Sequence, residues 1–130
     1  MAGRVLFFLQ RGGYAPAYQA VSMGITAAAL GDSVHFVFAF EALRQLVHGD
    51  FGRPQSDREA VESARAESLG LPPPATMLAE ARALGARLLA CDTMLRITGV
   101  PSEEAERVLD EVLGLPALWR FTEGARLLSF

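Results

Sequence analysis

The residues best placed to do chemistry are Cys91, Asp92 and Thr93. They follow an apolar run of strand length, Ala86-Arg87-Leu88-Leu89-Ala90, and Cys91 is the only cysteine among 130 residues. Asp92 and Thr93 are good helix N-cap types, so the run reads as a buried strand with a helix directly behind it. That order puts the thiol at the carboxyl end of a strand, against the amides of a helix N-terminus. In open α/β sheets this edge is where ligands bind, and a helix N-terminus favours a thiolate. The competing reading is a packed structural cysteine, because free cysteine is among the most buried residue types. The neighbouring Asp92 carboxylate works against a thiolate. Neither histidine supplies a base: His35 falls in mid-strand and His48 beside a polar segment, so both read as structural or surface residues. No Ser-His-Asp or Cys-His set is evident, which argues against a hydrolase.

A second group is Arg11-Gly12-Gly13-Tyr14. A glycine pair between a strand and a helix brings backbone amides close to an anion. It lacks both the G-x-G-x-x-G pattern and the P-loop lysine, and a tight strand-to-helix turn accounts for it better than an anion site does. Gly12, Gly13 and Tyr14 are expected at the same sheet edge as Cys91, Asp92, Thr93, Phe40 and Glu41, so that together they line one cleft. There is no C-x-x-C and no H-x-x-x-H, so neither a metal nor a cofactor is expected. The methionines, Met23 and Met94 among them, read as core filling. Trp119 reads as core or subunit interface. A single cysteine forms no internal disulfide, and any sulfur exchange must involve another chain or a small molecule.

The elements that must hold these residues follow from periodicity. Arg4 to Gln10 is an unbroken apolar run, hence a strand buried on both faces. From Tyr14 a helical stripe runs through Ala17, Val21, Ile25 and Ala28 to a stop at Gly31. Val34 to Phe40 is a second strand, parallel to the first through a right-handed crossover. Glu41 to Val47 reads as a short helix. Residues 50–74 turn polar and read as an exposed insertion, helical from about Asp57 and closed by Pro72-Pro73-Pro74. A helix over Thr76–Leu84, the cysteine strand and a short helix to Thr98 come next. Then follows a helix capped by Ser102, with Ala105, Val108, Leu109 and Val112 on its apolar face. A very short strand over Leu113–Leu115, a helix over Pro116–Glu123 and a last strand over Ala125–Phe130 complete the chain. Alternating strands and helices predict a single three-layer α/β/α domain, a doubly wound and mostly parallel sheet of about five strands.

Composition narrows the function. With 51% hydrophobic and 21% charged residues the chain has the balance of a globular domain. Its net charge of -3 leaves no basic footprint for nucleic acid, and its arginines are too scattered for a membrane-binding patch. No apolar run is long enough to span a membrane. The amino-terminal run lacks a cleavage pattern, so a cytoplasmic home is expected.

The order and spacing of these pieces carry a resemblance. The chain shows an apolar strand, then a small-residue helix ending Ala27-Ala28-Ala29-Leu30-Gly31-Asp32, then the strand from Val34. Later come Leu88-Leu89-Ala90-Cys91, Met94, Gly99, an acidic helix and the closing Ala125-Arg126-Leu127-Leu128. In this it resembles the DsrE/DsrF-like family, which includes TusD-like sulfur carriers and relatives labelled peroxiredoxin-like. The resemblance implies a compact α/β/α sheet that assembles into trimers or hexamers. In its sulfur-carrying members the residue aligned with Cys91 bears a persulfide, taken from a donor protein and passed to an acceptor. Residues 50–74 depart from the small carriers and could cover the cleft or pack on a neighbouring subunit. Two other functions stay open: a non-catalytic oligomeric module binding a small anion or partner segment near Gly12 and Gly13, and a thiol redox protein, disfavoured by the lack of a resolving cysteine.

Overall fold

The computed structural model describes residues 2–130. Five strands form one parallel sheet: β1 (Arg4–Leu9), β2 (Ser33–Phe38), β3 (Arg87–Cys91), β4 (Glu111–Leu113) and β5 (Arg126–Ser129), in the order β4-β3-β2-β1-β5. Seven helices connect them: α1 (Tyr14–Ala29), α2 (Phe40–His48), α3 (Asp57–Ser68), α4 (Pro74–Ala83), α5 (Asp92–Thr98), α6 (Ser102–Val108) and α7 (Leu115–Phe121). The three-layer α/β/α architecture expected from the sequence is the one observed.

The two helical layers are unequal. Alternate residues of each strand face opposite sides of the sheet. On the first face Val5, Phe7, Val34, Phe36, Leu88 and Ala90 meet α1, α2, α4, α5 and α6 through residues such as Ala17, Leu43, Met77, Leu95 and Ala105. On the second face Leu6, Val37, Leu89 and Cys91 meet Leu118 of α7, with Met94 and Phe121 beside them. The strand order explains this imbalance. Connections running outward from β1 to β4 cross on one side, and only the return from β4 to β5 crosses on the other.

Helix α1 lies close to the sheet because its buried stripe is small: Ala17, Ala20, Val21 and Gly24. A Cβ on Gly24 would stand 2.4 Å from Cζ of Phe36, a fully buried ring that stacks on Phe7 with centroids 5.4 Å apart.

Several boundaries differ from the sequence expectation. Strand β2 ends at Phe38, and Phe40 already opens α2 with a φ of 46°, the one non-glycine positive φ among the described residues. Helix α6 ends at Val108, so Val112 belongs to β4 and pairs with Ala90. Asp110 causes the switch: its amide donates to the Leu88 carbonyl at 2.8 Å, while its carboxylate accepts from the Leu88 amide at 2.7 Å. These bonds extend the chain beside β3 and start the ladder before Leu113. Pro101, not Ser102, occupies the N-cap of α6, and no side chain caps it. Trp119 is 74% exposed and so is not a core residue.

Residues 50–74 are anchored at both ends and exposed between. Phe51 is buried edge-on against Phe38, with centroids 5.7 Å apart. Gly52 and Pro74 touch so closely that a Cβ on the glycine would lie 2.5 Å from that of the proline. Between these anchors, α3 has no buried residue.

Candidate functional site

The carboxyl ends of β1, β2 and β3 form one edge, as parallel strands require, and both candidate groups stand along it. They do not form one cleft. The loop Gly12–Tyr14 leads into α1 on the first face, whereas the Cys91 side chain enters the second-face cluster, with β2 between β1 and β3.

The loop has the form of an anion cradle, and the protein fills it with its own carboxylate. Glu59 of α3 accepts from the Tyr14 amide at 3.0 Å and the Ala15 amide at 2.8 Å, the first amides of α1, and from the Gln55 amide at 2.9 Å. Helix N-termini leave such donors unpaired and attract negative charge. Buried Gln45 of α2 completes the cradle by accepting from the Gly13 amide at 2.9 Å. Both glycines are required by this packing. A Cβ on Gly12 would meet Glu41 Cγ at 2.6 Å, and one on Gly13, at φ 101°, would meet Glu59 Oε1 at 2.8 Å. Burial pushes the Glu59 carboxyl up, but the hydrogen bonds from Ala15, Gln55 and Tyr14 outweigh it, and its pKa falls below the ordinary value. Tyr14 is buried and its ring packs 5.5 Å from that of Tyr18; desolvation, then Tyr18 and Glu62, raise its phenol pKa.

Sequence reasoning missed Glu59 and Gln45. A signal for Glu59 was present: Ser56-Asp57-Arg58-Glu59 has the spacing of a capping box. Ser56 does cap α3, accepting from the Glu59 amide at 3.1 Å. The Glu59 side chain reaches past Ser56 to the Gln55 amide and across to α1. Gln45 carries no comparable signal.

Cys91 occupies the N-cap of α5 in extended backbone, at φ -82° and ψ 140°. Asp92 and Thr93, expected as caps, are instead the first helical residues, and no side-chain cap bond forms. Cys91 is 5% exposed as a residue, and Sγ lies 3.8 Å from Asp92 Oδ1, which also accepts from Thr93 Oγ1 at 3.4 Å. Asp92 is exposed and Thr93 half-buried. The thiol thus has an apolar floor of Leu89, Val37 and Leu118 and one acidic neighbour at the rim. Among the described residues no three His, Cys, Asp or Glu side chains gather in a way that could hold a metal ion, and no helix is long and apolar enough to cross a membrane.

His35 is a second-face residue of β2 that meets Phe121 of α7. It is 7% exposed, packs edge-on to Phe121 at 4.6 Å, and its Nδ1 is buried without a partner. Desolvation, then Arg4 and Arg87, lower its pKa against a smaller opposing pull from Glu111. His48 closes α2 and is exposed.

No family model and no curated protein matches the chain. Solved structures do. A protein of unknown function from Methanobacterium thermoautotrophicum, MTH1491, is similar with a TM-score of 0.63 at 18% identity, over 98% of this chain and 99% of that one. The ychN protein from E. coli is similar with a TM-score of 0.63 at 15% identity over the whole of both chains. A conserved protein of unknown function from Bacteroides thetaiotaomicron, BT1422, gives 0.64 at 10% identity, over 98% of this chain and 95% of that one. At these identities the likeness is one of fold alone: a five-stranded parallel sheet with helices on both faces.

Proposed function

We propose that the protein is a sulfur carrier that holds persulfide sulfur on Cys91. The observation that carries this reading is the seat of the chain's only thiol, at the carboxyl end of β3 and at the N-cap of α5. In the reaction the Cys91 thiolate attacks the outer sulfur of a donor persulfide. One S–S bond forms on Cys91 as the donor's S–S bond breaks and its thiolate leaves. An acceptor thiolate then takes the outer sulfur and returns Cys91 as thiolate, so no outside oxidant or reductant is needed. A cytoplasmic, reducing setting keeps such a thiol free. Donor and acceptor proteins are its implied partners. A homo-oligomer, trimer or hexamer, agrees with the exposed apolar side chains Met23, Leu30 and Leu127.

The test is intact mass after incubation with a persulfide donor, for the native protein and Cys91→Ala. Gain of one sulfur, reversed by reductant and absent from the variant, is the expected result. No gain by a thiol that does alkylate in the native state refutes sulfur carriage. The 5% exposure of Cys91 favours a second reading, a non-catalytic binding or structural member of the fold, and a thiol inert to every reagent until unfolding would favour it over sulfur carriage. In that case the loop at Gly12 and Gly13 would take an anion or partner segment only by displacing Glu59.

A further inference from the structure

We infer that α7 is a lid over Cys91, a short helix between two glycines that swings off the second face of the sheet to admit a reagent to the thiol. As a gate for sulfur transfer it rests on the reading above. Three features carry it. First, α7 is the single helix on that face, and Leu118 is its one buried residue, seated in the cluster that contains Cys91. Its outer side, with Leu115 at 60% and Trp119 at 74% exposure, holds it to nothing.

Second, its remaining hold is a clamp at its far end. The Phe121 ring meets the Arg4 guanidinium, 4.6 Å from its centroid, and stands edge-on to the His35 imidazole, with centroids 4.6 Å apart. Arg4 Nη1 also donates to the Phe121 carbonyl at 3.0 Å. The helix's own bonds are internal, Leu118 amide to Gly114 carbonyl at 3.0 Å and Thr122 amide to Leu118 carbonyl at 3.2 Å. It therefore moves as a unit, with Gly114 before it and Gly124, at φ 72° with open space around it, behind.

Third, the closed seat is imperfect. His35 Nδ1 is buried under Phe121 without a partner, a state that native structures rarely tolerate. Opening lets water reach that atom and so offsets part of the cost of exposing Leu118.

The test is the rate at which native Cys91 reacts with 5,5′-dithiobis(2-nitrobenzoate) as urea is raised below the unfolding transition. A lid gives a rate that is slow but nearly independent of urea, because local opening exposes little surface. Phe121→Ala should raise that flat rate at least about tenfold more than Leu46→Ala, a first-face control brought to equal global stability with urea. A rate climbing with the full urea dependence of global unfolding overturns the lid. So does equal acceleration by both variants, or reaction of the native protein as fast as that of the unfolded chain. The readout is thiol access alone, so its failure is distinct from a failure to gain sulfur.

Discussion

A methyl group placed at position 24 should destabilise the protein, although the position lies inside a helix. Exchanging glycine for alanine in a helix interior is favourable by about 0.8 to 1 kcal/mol from propensity alone. Against this, the new Cβ would stand 2.4 Å from Phe36 Cζ and 2.8 Å from Cε1. The ring has no free direction, being fully buried and stacked on Phe7. Overpacking of this kind costs about 1 to 3 kcal/mol, and a contact this short belongs in the upper half of that range. Gly24→Ala should therefore lose about 1 to 2 kcal/mol net. For a chain of this size that lowers Tm by about 3 to 8 °C. Urea unfolding followed by circular dichroism measures it. The decisive arm repeats the substitution in a Phe36→Leu background, where the clashing ring atoms are gone and Gly24→Ala should become stabilising by up to about 1 kcal/mol. A stabilising Gly24→Ala in the native background, or the same loss in both, refutes the close-approach argument.

Further expectations follow from the same geometry. The folded-state pKa of Glu59 is lowered, so its contribution is complete above the ordinary 4.5 and is lost as pH falls through the folded value. Glu59→Gln should flatten that part of the stability profile in urea titrations. The folded-state pKa of His35 is lowered too, so its contribution is present above 6.5 and declines as pH falls toward the folded value. His35→Gln should remove the slope below pH 6.5, and an unchanged slope would discount the buried imidazole. Cys91→Ser places a hydroxyl at a buried residue, and should cost about 1 to 3 kcal/mol. Cys91→Ala, without a polar atom to satisfy, should melt closer to the native protein. Gly13→Ala, at φ 101° and 2.8 Å from Glu59 Oε1, should speed hydrogen exchange at the Tyr14 and Gln55 amides. Unchanged exchange there would mean that Glu59 does not depend on the glycine.

The parts of the fold legible in the sequence are those set by local pattern. Val5 to Leu9 and, His35 apart, Val34 to Phe38 are apolar without alternation because both faces of a central parallel strand are covered, and they read as such. The misread parts depend on partners distant in sequence. The start of β4 is decided by Asp110 bonding to Leu88, 22 residues away, and helical periodicity simply runs past it. The occupant of the α1 N-terminus is Glu59, 45 residues beyond Tyr14. The loop could therefore be recognised as a cradle, but not as a filled one. The face on which Cys91 lies was hidden by the very feature that identified its strand, since a run buried on both faces carries no alternation to orient it. Trp119 illustrates the converse: its type suggested core or subunit interface, and its place on the outer side of the lone second-face helix excludes the core.

The position of β1 beside β5 has a consequence for how the chain comes together. Strand β1 can pair with β2 early, because only α1 separates them. Its other edge must wait for β5, whose arrival is marked by the Phe130 amide bonding the Phe8 carbonyl at 2.7 Å. Arg4 and Phe121, 117 residues apart in sequence, meet in the same late event. Until then the nascent sheet presents an open apolar edge at Val5 to Phe8, the kind of edge that recruits other chains. Contacts of such long sequence separation also slow folding. The heaviest demand for chaperone shielding should thus fall on chains stalled before β5 is made.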